Sequence, residues 1–215
     1  MIDQTLRLMA WLSPAYPVGA YTYSHGLEQA ISAGDIENAA TAQDWIKDCL
    51  SFGGGRADAI ALSHAWRVAE EPAALQNLID HVEAFAPSAE RLLETSAQGT
   101  AFADVTAAAW ADEACKVAPY PIALGAAAGR AGIDLTLATT LFLQAFVANL
   151  VSAAVRLVPL GQTEGQGIIA ALSAVCETVA AEAIEADFED IGGCAIRADI
   201  ASMRHETQTV RLFRS

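Results

Sequence analysis

The stretch LTLATTLFLQAFVANLVSAAV, residues 135–155, decides the fold, because it is uncharged throughout and long enough to cross a bilayer. A membrane span would leave Thr136, Thr140, Gln144, Asn149 and Ser152 among lipid tails, which solvate none of them. The ends read instead like those of a helix inside a globular protein. Asp134 is placed to cap the first turn, Arg156 falls in the last turn where the helix dipole favours a cation, and Pro159 with Gly161 closes the segment. The reading is a central buried helix whose polar stripe faces a partner helix or a water-filled passage, with a membrane span as the alternative.

Working outward, alanine recurs along the whole chain and the alternating, β-branched pattern of strands is scarce, so the expected architecture is all-α. In AALQNLIDHVEAF, residues 73–85, Leu75, Leu78, Ile79, Val82 and Phe85 form one stripe, and Gln76, Asn77, Asp80, His81 and Glu83 fall mostly on the other side. Thr41 with Asp44, and Thr163 with Gln166, read as capping boxes that start helices. Gly53-Gly54-Gly55, Pro72, Pro87, Pro119 and Pro121 are the stops. The result is a single-domain helical bundle of about eight to ten helices over residues 1–215, with no long linker and no internal repeat.

Charge narrows the partners. Twenty-six acids against 12 bases give a net charge of −14, which argues against a general phosphate-neutralising surface and so against nucleic acid. Hydrophobic residues make up 53%, more than a core of this size needs, and the surplus points to an interface or a membrane. Cys49, Cys115, Cys176 and Cys194 contain no close pair of the kind that marks a zinc knuckle or a redox dithiol, so they read as reduced thiols. The N-terminus MIDQTLRLMAWLSP carries an acid at position 3 and too short an apolar stretch for a secretory signal, so a cytoplasmic location is expected.

The motifs of catalysis are missing. No glycine cluster ends in GK[ST], no G-x-S-x-G elbow is present, and His25, His64, His81 and His205 lie far apart in sequence. His64 shares a stripe with Ile60 and Val68 and reads as a packed core histidine, while His81 rides a polar face and reads as solvated. No catalytic residue, metal ligand or cofactor is assigned.

Two stretches remain that neither core nor composition explains. SPAYPVGAYTYSHGLE, residues 13–28, has no helical or strand period; its glycines permit tight turns, Ser24 reads as the cap of a helix from His25 toward Ala33, and Tyr16, Tyr21 and Tyr23 suit an interface. At the other end RHETQTVRLFRS reverses the charge trend and mixes Arg204, Arg211 and Arg214 with Val210, Leu212 and Phe213, the composition of a tail that orders on a partner.

With these motifs in hand, the chain resembles the UreF family of urease accessory proteins. LSPAYPVGAYTYSHGLEQAISAG, LVSAAVRLVPLGQTEGQ and ASMRHETQTVRLFRS carry the resemblance, in the family's order and spacing. The resemblance implies an all-α protein that is not an enzyme, forms a homodimer, binds the UreD accessory protein (also called UreH), and recruits the UreG GTPase for delivery of nickel to apo-urease. It places Tyr23, Ser24, His25, Glu28, Arg156 and Gln162 on the UreG side, and Arg204, His205, Arg211 and Phe213 in a UreD-binding segment within the partner-ordered tail 204–215. Nickel is expected in transit at most, with Thr140, Gln144 and Asn149 as candidates to line its passage. Two other classes stay open: a helical ligand-binding or haem-type protein built around His64, and a membrane protein spanning through residues 135–155.

Overall fold

The computed structural model describes residues 2–112 and 118–214. Cys115 lies outside them. Among the described residues there are ten α-helices, two short 3-10 turns and no strand. The helices are α1 (Ile2–Trp11), α2 (Leu27–Ser32), α3 (Ala39–Phe52), α4 (Gly54–Arg67), α5 (Pro72–Ala84), α6 (Ala89–Trp110), α7 (Tyr120–Arg130), α8 (Leu135–Leu157), α9 (Gln162–Glu185) and α10 (Ile196–His205).

The decisive stretch is the core helix α8, which packs against α2, α3, α4, α7 and α9. Phe142, Leu143, Phe146, Val147, Leu150 and Val151 are buried, and Asp134 Oδ1 accepts the Leu137 N–H at 2.8 Å, as the sequence suggests. Among the described residues two helices, α8 and α9, are long and apolar enough to cross a membrane; the second was not singled out by sequence. One continuous hydrophobic core runs from Leu8 to Phe213.

α4 is the second axis of the fold. Gly125 and Gly129, one turn apart on α7, face its backbone, and a Cβ on them would come within 2.3 Å of Leu62 O and 2.5 Å of Trp66 O. Only glycine lets these two helices approach so closely. At the other end of α7, Trp11, Tyr16, Phe102, Trp110 and Tyr120 form an aromatic cluster, with Trp11 meeting Phe102 edge-on at 5.6 Å and the Arg7 guanidinium over the rings of Trp11 and Trp110.

Helix starts differ from the sequence reading by a turn or less. Thr41 is the third helical residue: Asn38 caps α3 by accepting the Thr41 N–H, and Thr41 Oγ1 accepts the Asn38 N–H in return. The hydroxyl of Thr41 thus takes the part an acid usually plays in a capping box. Thr163 is likewise inside α9; the contact at that start is Glu164 Oε2 accepting the Gly161 N–H at 2.8 Å. Pro72 opens α5 rather than only ending its predecessor, since an N–H in the first turn has no carbonyl within the helix to bond and proline loses nothing by lacking it.

Candidate functional site

The loop of residues 13–28 is shaped by left-handed backbone. Gly19, His25 and Gly26 have φ of 73°, 52° and 75°. A Cβ on Gly26 would sit 2.7 Å from Ser202 N and 3.0 Å from Ala198 O, so glycine meets both a conformational and a packing demand where α2 begins against α10. Because His25 and Gly26 are left-handed, the helix starts at Leu27 and not at His25. Ser24 still contributes, its Oγ accepting the Glu28 N–H at 3.4 Å.

This start turns Glu28 inward. The residue is 6% exposed, with Oε1 accepting the Leu212 N–H at 2.8 Å, and Oε2 accepting the Phe213 N–H at 2.9 Å and lying 3.2 Å from His205 Nε2. Glu90, in the first turn of α6, meets the other side of the same imidazole: Oε2 is 2.8 Å from His205 Nδ1, and Oε1 accepts from Arg211 Nη1 at 2.7 Å. Arg214 N–H adds a 2.7 Å bond to Thr22 O, and the ring of Phe213 is buried. Ser202 and Ser88 share a 2.7 Å hydroxyl bond, and Glu206 accepts the Ala89 N–H, so α10 and the start of α6 are joined beside the cluster. The tail is therefore docked on the chain's own body.

A second polar cluster lies deeper on α6. Arg91 pairs with Glu94 and reaches Asp58 Oδ2 at 3.4 Å, and Gln98 donates to Glu94 at 3.0 Å. His25 Nε2 lies 3.1 Å from both Arg91 Nη1 and Glu94 Oε1 and serves one of them in any given tautomer. Burial alone would raise the Glu94 carboxyl, but Arg91 and His25 outweigh it and hold the group at about 2. At Asp58 burial wins over the same arginine, and its carboxyl is pushed up. The residues His25, Asp58, Arg91 and Thr95 form the common wall of two small cavities of about 80 and 50 Å³.

The sequence-selected residues are thus redistributed. Glu28 and His25, expected on one partner face, are inward-facing. Glu28 stands with His205, Arg211 and Phe213, expected on another. Tyr23 and Ser24 are buried. Arg156 and Gln162 are exposed and border a groove of about 350 Å³ between α8 and α9, where Arg156 Nη1 donates to Tyr21 O at 3.4 Å. Arg204 is exposed on α10. Glu90, Arg91, Glu94, Thr95 and Gln98 were not singled out by sequence. The signal was present, for at helical spacing they make a polar stripe continuous with buried Phe102 and Thr106, where an apolar stripe is the norm.

His64 is packed and hydrogen-bonded as expected, with Nε2 3.1 Å from Ala186 O and the ring edge-on to Phe188, but it is only half-buried rather than a core residue. His81 is a correction. It is not simply solvated but stacks on Phe85 at 4.6 Å and meets Phe188 at 4.5 Å, because the bend after α9 brings Phe188 over α5. Its Nε2 is buried without a hydrogen-bond partner. Among the described residues no group of three or more His, Cys, Asp or Glu side chains is arranged to hold a metal ion. Cys49 and Cys176 are buried and Cys194 is exposed.

Comparison with known proteins agrees with the motifs. Residues 36–173 match the family model described as UreF. "Urease accessory protein UreF" of Cereibacter sphaeroides (strain KD131 / KCTC 12085) is 54% identical over 210 residues, covering 98% of both chains. The protein of the same name from Ruegeria pomeroyi is 48% identical, covering 99% of this chain and 97% of its own, and that of Rhodopseudomonas palustris (strain BisB5) is 46% identical, covering 97% and 90%. A match of this identity over nearly the whole chain leads to one conclusion: the chain belongs to the UreF family of urease accessory proteins.

Proposed function

We propose that the chain is a non-catalytic scaffold of urease maturation, which dimerises in the cytoplasm, binds the UreD/UreH accessory protein and recruits the UreG GTPase, so that GTP-dependent delivery of nickel reaches apo-urease through the complex. The observation that carries this reading is identity of about half the residues, across nearly the whole length, to proteins named for that accessory role. The protein needs no cofactor of its own, and nickel is cargo.

The geometry supports a division of labour among the motif residues. Arg156 and Gln162 are exposed and open to UreG, whereas Glu28, capped by Ser24, acts from beneath by holding the tail's amides, and Tyr23 and His25 are turned inward. The docked tail holds Val210 and Leu212 outward, 79% and 78% exposed, beside the cations Arg204, Arg211 and Arg214, a surface suited to an apolar and acidic partner patch. Reconstitution tests the proposal: apo-urease with nickel, bicarbonate, GTP, UreD and UreG should gain activity only when this chain is added. Equal activation without it would overturn the reading.

A further inference from the structure

His205 is fully buried, and both of its ring nitrogens face carboxylate oxygens, Nδ1 at 2.8 Å from Glu90 and Nε2 at 3.2 Å from Glu28. A neutral imidazole carries one N–H, so in that form one nitrogen would set a lone pair against an oxygen lone pair. A proton on either carboxylate would cancel the charge that its other donors meet. Glu28 already accepts two backbone N–H groups, from Leu212 and Phe213, and Glu90 accepts from Arg211. Every other group aimed at these oxygens is a donor.

Among the described residues the charges facing the ring are Glu28 from α2, Glu90 from α6 and, behind Glu90, Arg211 from the tail. Its sequence neighbours on α10, Arg204 and Glu206, are exposed, and Glu206 is turned to the Ala89 N–H. With the imidazole doubly protonated the four groups sum to zero. With it neutral, two buried carboxylates are left against one guanidinium that is itself partly in water.

We propose that His205 is a proton-dependent latch, whose charged form completes a neutral cluster with Glu28, Glu90 and Arg211 that fastens the C-terminal tail, and whose neutral form releases residues 207–214. The release is local. Val210, Arg211 and Leu212 already lie at the surface, Phe213 is the buried apolar anchor, and once the tail lifts Glu28 reaches water in place of the two amides. The latch holds while the ring is charged and opens as rising pH removes the proton. It concerns the isolated chain and stands whether or not the proposed partners bind.

The test is made on the full chain with ¹⁵N-labelled histidine. Ring ¹⁵N shifts of His205 and the protection factors of the Leu212 and Phe213 amides are followed together from about pH 6 to about pH 9. The expected result is a ring protonated on both nitrogens at the acid end, and tail protection that falls at least about tenfold in step with loss of that proton. A ring that is neutral while the tail amides stay protected would place the proton on a glutamate and overturn the proposal, as would protection that does not change when the ring titrates. Glu90→Gln keeps an acceptor for Nδ1 but removes a charge, so release should move to lower pH; an unmoved release pH also overturns it.

Discussion

Gly26→Ala isolates the contact on which the site is built. The added Cβ meets two penalties that can be separated. The left-handed backbone, φ 75°, costs an alanine about 1–2 kcal/mol. The approach to Ser202 N at 2.7 Å and to Ala198 O and Ala201 C at 3.0 Å presses on the backbone of α10, which cannot rotate out of the way as a flexible side chain would, and overpacking of that kind costs about 1–3 kcal/mol more. The sum is about 2–5 kcal/mol, or roughly 4–20 °C in Tm for a chain of this size. Gly34→Ala is the control: its φ is 82°, but the nearest atom to its Cβ is Glu37 Oε1 at 3.9 Å, so it carries the conformational penalty alone. Urea unfolding followed by tryptophan fluorescence and helical circular dichroism should place Gly26→Ala below Gly34→Ala by about 1–3 kcal/mol. Equal losses for the two variants would show that α2 and α10 are not in backbone contact, and the geometry of the tail's seat would fall with it.

Other expectations follow from single groups. Glu94 is held at about 2 against an ordinary 4.5, so the folded state favours its ionised form, and the stability this gives is complete above 4.5 and lost as pH falls through about 2. The stability gap between the native protein and Glu94→Gln should therefore shrink between about pH 5 and about pH 2; a gap that stays constant would refute the charge cluster. Burial pushes the Cys49 thiol up to about 12 and that of Cys176 to about 11, whereas Cys194 is exposed. With a thiol reagent at mildly alkaline pH, Cys194 should react in the native state and Cys49 and Cys176 only on unfolding, and mass mapping of an early modification at Cys49 would contradict its placement. Arg156→Ala removes an exposed side chain and should change unfolding free energy by no more than about 0.5 kcal/mol while weakening co-elution with UreG. Loss of the fold, or undiminished co-elution, would remove Arg156 from the proposed contact.

The fold was largely legible because its signals are local. Asp134, Arg156 and Pro159 bracket α8 within one segment, the stripe of Leu75, Leu78, Ile79 and Val82 repeats within α5, and Gly53 breaks the chain between α3 and α4 where it stands. Local signals also explain the small errors. The box of Asn38 with Thr41 uses a hydroxyl as its second acceptor, a pairing the usual acid pattern does not describe. The site was legible in its parts and not in its assembly. Glu28 and His205 were each singled out, yet their pairing spans the length of the chain, and no periodicity encodes which helix start will meet which tail. Glu90 was missed because an acid in the first turn of a helix has an ordinary explanation in the dipole. His81 was misread because Phe85, one turn on, stacks on it rather than lying on the opposite side, and because the second ring that covers it, Phe188, belongs to a turn beyond α9.

The most direct test of the scaffold is a co-purification sized by light scattering, in which tagged protein is mixed with UreD and UreG in the presence of magnesium and either GDP or a GTP analogue. The account expects one complex that holds two copies of this chain with both partners, and its loss when residues 207–215 are removed from a chain that still shows native helicity. A folded, full-length chain that elutes apart from both UreD and UreG would contradict it.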